Sequence, residues 1–144
     1  MCHSSTGRNE HVDHFWKLPD NFFRLEEGDQ IVDIGAGKHH MIVATQHGKI
    51  YASGYIFYRY FSECRHNRES DEDYPFELRL PAGGWKALQV WGCEKYNNLW
   101  VLAEDADGKK KCFGAGGEEC SIGHDEDSNS SGFKALAVPD GTWF

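Results

Sequence analysis

One motif that occurs twice constrains the fold of this chain more than any other feature. Gly84–Val90 and Gly132–Val138 share a glycine, a large aromatic residue, Lys-Ala-Leu and a valine, each in the same order and spacing. A looser version, Gly28–Ile34, aligns Ile34 with Leu88. Repetition with a period of roughly 20–50 residues is typical of proteins built from stacked copies of one supersecondary unit.

The repeated unit is predicted to consist of β-strands. Sixteen glycines and a 14% share of aromatic residues divide the chain into short apolar runs separated by turns, a pattern typical of β-hairpins. The interval between two turn glycines, Gly48 and Gly108, equals the interval between the strand-ending Gly54 and Gly114. The sequence therefore predicts an all-β chain in which one order of elements occurs twice.

The repeats divide the chain into four segments. With 144 residues, the chain is long enough for one hydrophobic core. We expect a partly flexible N-terminal segment, a first repeat with a charged loop at 64–73, a second repeat with an acidic loop at 123–131, and the start of an incomplete third repeat. The boundaries of these segments are 1–20, 21–73, 74–131 and 132–144.

The charge and the cysteines limit the class of partner and the compartment. A net charge of −8 and an isoelectric point near 5.4 argue against electrostatic binding to nucleic acid or to an anionic membrane, and favour a basic protein partner. No apolar run approaches the ~20 residues that cross a bilayer, and the N-terminal residues lack the apolar core of a secretory signal. The five scattered cysteines do not form a disulfide framework. We therefore expect an intracellular protein, cytoplasmic or nuclear, with reduced thiols.

The segment Ile34–Gly54 carries a more specific pattern. It reads aliphatic, two small residues, glycine, two spacers, histidine, an apolar strand, a glycine turn and an aromatic strand ending in glycine, with His40 as the histidine. This pattern resembles the Regulator of Chromosome Condensation repeat family, and Cys112–Asp127 resembles the glycine-rich link of that family. The resemblance covers about residues 22–138. The second repeat has Cys93–Tyr96 where the family has its histidine.

The resemblance implies a β-propeller of four-stranded blades. Propellers close with about four to eight blades, whereas this chain holds about two and a half at roughly 50 residues per blade. We therefore expect a partial propeller that another chain, further copies of this chain or additional sequence completes. The internal repeat and the resemblance together imply eleven structural repeat positions: Gly37, His40, Gly48, Gly54, Trp85, Leu88, Gly92, Gly108, Gly114, Phe133 and Leu136.

Two kinds of surface are candidate partner-binding sites. The aromatic run 55–61 cannot turn every ring inward from a strand, so its rings either anchor a partner or cover the flank of a degenerate blade. The two acidic loops would attract a basic partner over a long range. The candidate residues are Tyr55, Tyr58, Arg59, Tyr60, Asp71, Glu72, Asp73, Asp125, Glu126 and Asp127.

No pattern in the sequence indicates catalysis, a metal ion or a cofactor. The family resemblance places His40 inside the blade, where it is interpreted as a structural residue. Cys64–His66 and His11–His14 each lack the second ligand pair of a zinc site. Gly114–Gly117 lacks the Lys-Ser/Thr pair of a phosphate-binding loop. We therefore expect no catalytic residue, no metal site and no cofactor.

The predicted function is a non-enzymatic protein-interaction module, or a subunit of a larger assembly. Rigid blades would present their loops to a protein partner, without direct contact to nucleic acid or to a membrane. The family resemblance implies an alternative, a guanine-nucleotide exchange factor or regulator for a small GTPase. An exchange factor opens the nucleotide site from a large propeller face, so we expect this short acidic chain not to accelerate nucleotide release.

Overall fold

The computed structural model of the chain describes residues 15, 17–37, 40–54, 75–93, 98–116 and 132–136. Within these ranges the secondary structure consists of strands and turns, with no helix. The strands are β1 (Ile31–Ala36), β2 (His40–Thr45), β3 (Ile50–Gly54), β4 (Phe76–Leu78), β5 (Lys86–Gly92), β6 (Leu99–Glu104), β7 (Lys110–Ala115) and β8 (Lys134–Ala135).

The strands form two antiparallel sheets of four strands each. The first sheet has the order β1-β2-β3-β4 and the second the order β5-β6-β7-β8. The two sheets pack against each other, with β5 of the second sheet lying against β1 and β2 of the first. This confirms the all-β prediction, and the arrangement is that of two neighbouring blades in a partial propeller.

The two central hairpins form for the same local reason. A glycine with positive φ closes each turn: Gly48 (82°) between β2 and β3, and Gly108 (78°) between β6 and β7. The Gly48 amide donates to the Thr45 carbonyl at 2.9 Å, and the Gly108 amide donates to the Asp105 carbonyl at 3.1 Å. β2 and β3 are buried along their whole length, which explains why their sequences are continuous apolar runs rather than alternating ones.

The motif shared by Gly84–Val90 and Gly132–Val138 does not mark equivalent strands. In its first copy, Lys86–Gly92 is the first strand of the second sheet, whereas in its second copy Lys134–Ala135 is the last strand of that same sheet. Lys134–Ala135 corresponds instead to Phe76–Leu78, because each pairs with the third strand of its sheet. The motif is ambiguous because an aromatic residue followed by alternating apolar residues suits either strand position.

A second correction concerns β1 and β5. Each strand contains a register shift, at Val32 in β1 and at Leu88 in β5. The register therefore aligns Val32 with Leu88 and Ile34 with Val90. The alignment of Ile34 with Leu88 is wrong, because it matches residue types without placing the bulge, the extra residue that shifts the register of the strand.

His40 has a structural counterpart in the second sheet. The Gly37 amide donates to the His40 carbonyl at 2.8 Å, and the Cys93 amide donates to the Asn98 carbonyl at 3.1 Å in the same position. His40 and Asn98 are both buried, at the entries to β2 and β6. Asn98 therefore occupies the histidine position of the second sheet, and a longer loop before it displaces it in the sequence.

Each sheet has two faces, which we name by their roles in stacking. The leading face carries Val43 in the first sheet and Val101 in the second, and the trailing face carries Ile42 in the first and Leu102 in the second. The trailing face of the first sheet packs on the leading face of the second, so the two sheets stack head to tail in one sense. Their shared core consists of Ile42, Ala44, Ile50, Ala52, Leu78, Ala87, Val90, Leu99, Val101, Ala103, Phe113, Ala115 and Phe133.

Two glycines allow the first strands of the sheets to approach each other closely. A Cβ added to Gly35 would lie 3.0 Å from the Trp91 Cα, and one added to Gly92 would lie 2.7 Å from the Ala36 carbonyl. The first distance is at the limit of what real Cβ atoms show, and the second is well below it. Backbone therefore packs directly on backbone at this point, which a side chain at either position would prevent.

Two hydrogen bonds cross the same interface. Asp33 Oδ2 accepts from the Val90 amide at 2.8 Å, and the Gly48 carbonyl accepts from the Ala87 amide at 3.0 Å. Both donors belong to β5, and both acceptors belong to the first sheet. The stacking is thus fixed by directional contacts as well as by the apolar core, since hydrogen bonds demand a defined position of donor and acceptor.

Residues Leu18–Leu25 cover part of the leading face of the first sheet. Phe23 is buried there in a cluster with Met41, Val43 and Tyr51. Trp85, the residue before β5, packs on the second sheet in the equivalent way, with its ring centroid 5.2 Å from that of Phe113. Each sheet is therefore preceded by a turn that places an aromatic ring on its leading face.

Replacing Gly48 with alanine tests the contact between the first hairpin and the second sheet. G48A and G108A both place alanine at a left-handed φ, which costs about 1–2 kcal/mol. Only at Gly48 does the new Cβ meet another strand, 2.9 Å from the Lys86 Cα, because the space around Gly108 is open. We expect G48A to lower the free energy of unfolding in urea by about 1–3 kcal/mol more than G108A does. Equal losses would show that the Gly48 turn does not pack on β5.

Candidate functional site

β1 exposes an apolar surface that has no match in the second sheet. Ile31, Val32 and Ile34 are 45%, 55% and 61% exposed. Ala87 and Val90 occupy the positions of Ile31 and Ile34 in β5, and they are only 3% and 2% exposed because the first sheet covers them. The surface of β5 is therefore covered by a neighbouring sheet, whereas the corresponding surface of β1 is exposed. We call Ile31, Val32 and Ile34 the leading flank.

The leading flank lies on an edge strand. β1 pairs with β2 on one side and, among the described strands, with none on the other. Amides in an antiparallel pair alternate between pointing toward the partner strand and pointing away from it. In β5 the Val90 amide points away from β6 and donates to Asp33. Ile34 has the same register position in β1, so its amide points toward the open edge, where another chain can pair.

A buried carboxylate fixes the start of β1. Asp29 Oδ1 accepts hydrogen bonds from the Gln30 amide at 2.9 Å and from the His47 amide at 3.0 Å. The Gln46 amide donates to the Gln30 carbonyl at 2.8 Å. These bonds tie the residues just before Ile31 to the turn between β2 and β3, so a well-anchored strand presents the leading flank.

Ionisable side chains surround this anchor. Glu26 forms an ion pair with Lys49, and His47 Nδ1 lies 3.7 Å from a carboxylate oxygen of Glu26 and 3.7 Å from one of Asp29. The hydrogen bond from Lys49 holds the pKa of Glu26 below its usual value. Burial alone would raise the pKa of Asp29, but hydrogen bonds from the Thr45 hydroxyl and from two backbone amides lower it overall. Asp29 is therefore ionised at neutral pH.

A groove of about 430 Å³ adjoins the leading flank. It lies between the covering segment 18–25 and the start of β1, and Ile31 belongs to both the groove and the flank. Its apolar lining includes Leu18, Phe22 and Leu25, and three carboxylates but no basic side chains line it as well. All three carboxylates already have partners, since Asp20 pairs with Lys17, Glu26 pairs with Lys49, and Asp29 accepts two backbone amides. The groove therefore offers a partner mainly its apolar lining.

The trailing face of the second sheet differs from that of the first. Trp91 occupies the position of Gly35 and is 42% exposed, and Gln89 occupies the position of Asp33. Trp91 lies beside the half-buried Trp100 across β5 and β6. The close glycine contact and the cross-sheet carboxylate of the first sheet are thus replaced by a large ring and a neutral amide.

Within the described ranges, no group of three or more His, Cys, Asp and Glu side chains is placed to bind a metal ion. Burial raises the pKa of the Cys112 thiol to about 11, so this thiol is protonated and unreactive at neutral pH. In the same parts of the chain, no helix has the length and apolar character needed to cross a membrane.

The residues predicted from the sequence fall into two groups. All ten partner-binding candidates lie outside the described residues, and their roles stay predictions: Tyr55, Tyr58, Arg59, Tyr60, Asp71, Glu72, Asp73, Asp125, Glu126 and Asp127. All eleven structural positions lie inside them. They are found after β1 and at the ends of β3 and β5 (Gly37, Gly54, Gly92), at the start of β2 (His40), in the hairpin turns (Gly48, Gly108), at the β5 bulge (Leu88), in β7 (Gly114) and beside β5 and β8 (Trp85, Phe133, Leu136).

The sequence does not reveal the leading flank, because an aliphatic residue in a strand has the same type whether it is buried or exposed. A signal for the sheet boundaries does exist. Leu18–Phe23, Leu80–Trp85 and Val138–Trp143 share an aliphatic residue, a proline, then asparagine or glycine two residues later, and a final aromatic residue. In the first two copies this pattern precedes a sheet and supplies the ring on its leading face.

Comparison with known proteins gives distant similarities. No family model matches the sequence, and no curated protein matches it. Among solved structures, human WBSCR16 has 17% identity and a TM-score of 0.49, over 75% of this chain and 26% of that chain. Prp20p from Saccharomyces cerevisiae, described with its binding properties to Gsp1p and histones, has 14% identity and a TM-score of 0.49, over 79% of this chain and 27% of that chain. The chain thus spans about a quarter of the length of these proteins, and its fold assignment rests on its own two sheets.

Asp29→Asn is expected to remove a pH-dependent part of the stability. A carboxylate whose pKa is lowered by folding stabilises the fold above its unfolded pKa of about 3.9, and this contribution is lost as the pH falls through the folded value. At neutral pH, D29N should therefore lower the free energy of unfolding by about 1–2 kcal/mol. The deficit should shrink below about pH 4.

Urea denaturation at several pH values measures this deficit. D107N removes one negative charge from an exposed turn and serves as the control for a general charge effect. A deficit of D29N that stayed constant with pH would contradict the role given to the Asp29 carboxylate.

Proposed function

We propose that this chain is a non-enzymatic protein-interaction module, a short propeller arc whose leading flank binds a protein partner. One observation carries the proposal. Ile31 and Ile34 are 45% and 61% exposed, although Ala87 and Val90, their counterparts in the second sheet, are almost fully buried by a neighbouring sheet. The leading face is thus buried in the second sheet, where the first sheet covers it, and exposed along β1 in the first sheet.

The size of this surface fits a contact point of moderate strength. Full burial of an aliphatic side chain contributes about 1.5–3 kcal/mol, and Ile31, Val32 and Ile34 are each roughly half exposed. Covering all three would therefore contribute about 3 kcal/mol, or roughly a hundredfold in affinity. Further contacts are needed for a stable complex, and the adjoining groove offers them through its apolar lining.

The predicted aromatic and acidic loops belong to the same proposal. Tyr55, Tyr58, Arg59 and Tyr60 would add anchoring contacts, and the acidic residues at 71–73 and 125–127 would attract a basic partner over a longer range. The net charge of −8 supports a partner of opposite charge. The resemblance of Ile34–Gly54 to Regulator of Chromosome Condensation repeats supports a place among short, degenerate relatives of that family.

Ile34→Lys tests the proposal. Lysine at this exposed strand position places a charge in the middle of the leading flank without disturbing the core. Ala106→Lys makes the same change of charge in the exposed turn between β6 and β7. Tagged wild type, I34K and A106K are incubated with extract of the native cells, and the captured proteins are quantified by mass spectrometry. Thermal unfolding shows whether the three proteins are folded alike.

We expect at least one protein to be captured by the wild type and by A106K but to fall by about tenfold or more with I34K, because a buried unpaired charge is strongly unfavourable. Equal capture by all three proteins would refute the leading flank as the binding surface.

A further inference from the structure

The interface between the two sheets shows what a leading face accepts. The trailing face of the first sheet supplies three features to β5: the Asp33 carboxylate on the Val90 amide at 2.8 Å, the Gly48 carbonyl on the Ala87 amide at 3.0 Å, and a strand with no side chain at Gly35. The apolar core fills the space behind them. The leading face of the second sheet is therefore bound by an apolar sheet whose first strand carries a carboxylate, Asp33, and a glycine, Gly35, two residues apart.

The leading face of the first sheet offers the same receiving positions. Ile31 and Ile34 align with Ala87 and Val90, in strands with the same bulge. The Ile34 amide points away from β2, just as the Val90 amide points away from β6. The Val90 amide is bound by Asp33, whereas the Ile34 amide faces an open edge of the described sheet. Three side chains are larger here than in β5: Ile31 replaces Ala87, Ile34 replaces Val90 and Ala36 replaces Gly92. A Cβ at the Gly92 position lies only 2.7 Å from the backbone of the packed strand, so a strand docked on β1 must sit farther out than β1 sits on β5.

A second copy of this chain does not meet these requirements. Its free trailing face carries Gln89 in place of Asp33 and Trp91 in place of Gly35. In the internal interface, the backbone comes so close to Gly35 that even a Cβ there would lie 3.0 Å from the Trp91 Cα and from the Gly92 nitrogen. The indole of Trp91 would occupy the space that the incoming backbone needs.

From these contacts we infer the kind of partner, resting on the proposed function. The leading flank binds a β-sheet of a partner protein whose contact strand carries an aspartate two residues before a glycine, as Asp33 and Gly35 are placed here. Trp91 prevents a second copy of this chain from docking in that place. The exposed apolar flank is thus compatible with a monomer that pairs only with a different protein.

The chain itself can be converted into a probe for this inference. A donor variant carries Gln89→Asp and Trp91→Gly, which give its trailing face the required aspartate and glycine, together with Ile34→Lys, which blocks its own leading flank. The wild type is the acceptor, and I34K is the control acceptor. Sizing chromatography with light scattering measures each protein alone and in mixtures.

We expect the wild type and the donor each to run alone as a 16.4 kDa particle, and their mixture to form a one-to-one complex. The complex should be absent, or at least about tenfold weaker, with the I34K acceptor. An Ala36→Gly acceptor should bind the donor more tightly than the wild type does, because it removes the methyl group that keeps the docked backbone from close approach. If Trp91→Gly impairs folding of the donor, Trp91→Ala replaces it and is paired with the Ala36→Gly acceptor, because the Cβ of alanine at this position lies at the 3.0 Å limit of close approach.

Two results would overturn the inference. Self-association of the wild type that I34K abolishes would identify a second copy as the partner of the leading flank. Failure of a folded donor to bind the wild type or the A36G acceptor would show that aspartate and glycine do not define the partner. In that second case the proposed function would still stand if I34K loses a captured protein, so the two failures are distinguishable.

Discussion

Direct packing of backbone on backbone between β1 and β5 is the constraint on which the rest of this structure depends. Gly35 and Gly92 make it possible, since a Cβ at either position would come within 3.0 Å of the neighbouring strand. The close approach brings the Asp33 carboxylate to the Val90 amide and the Gly48 carbonyl to the Ala87 amide. It also seals the apolar core that the two sheets share.

Head-to-tail stacking makes the arc asymmetric. Because the trailing face of one sheet packs on the leading face of the next, the two free ends of the arc are chemically different surfaces. One end presents exposed aliphatic residues on an anchored edge strand, and the other presents Trp91 where the internal interface has a glycine. The described part of the chain thus has Trp91 exposed on the trailing face of the second sheet, and Ile31 and Ile34 exposed on the leading face of the first.

The sequence predicts the strands and turns well, because these depend on local patterns. Gly48 and Gly108 mark both hairpins, and the apolar run of β2 marks a strand buried on both sides. The equivalence of strands is not predictable from the recurring motif, because the same pattern of aromatic and apolar residues serves as the first strand in Lys86–Gly92 and as the last strand in Lys134–Ala135. The sequence also does not identify Asn98 as the counterpart of His40, because the two residues differ in type and in their distance from the preceding strand.

The candidate site was even less accessible to prediction. Ile34 and Val90 are both β-branched residues in strands with the same bulge, and only the position of a neighbouring sheet makes one exposed and the other buried. Such a difference is a property of tertiary packing and leaves no mark in the residue types. The aromatic and acidic residues that the sequence favours for binding lie in other parts of the chain, outside the described residues.

Amide hydrogen exchange at Ile34 and Val90 compares the two equivalent positions in the wild-type protein. After correction for intrinsic rates, the Val90 amide should exchange at least about tenfold more slowly than the Ile34 amide, because Asp33 binds the first while the second points toward an open edge. That result would show that one leading face is covered and the other is free. Equal protection of both amides in the isolated chain would mean that the flank of β1 is already occupied, and would contradict its role as the surface that receives a partner.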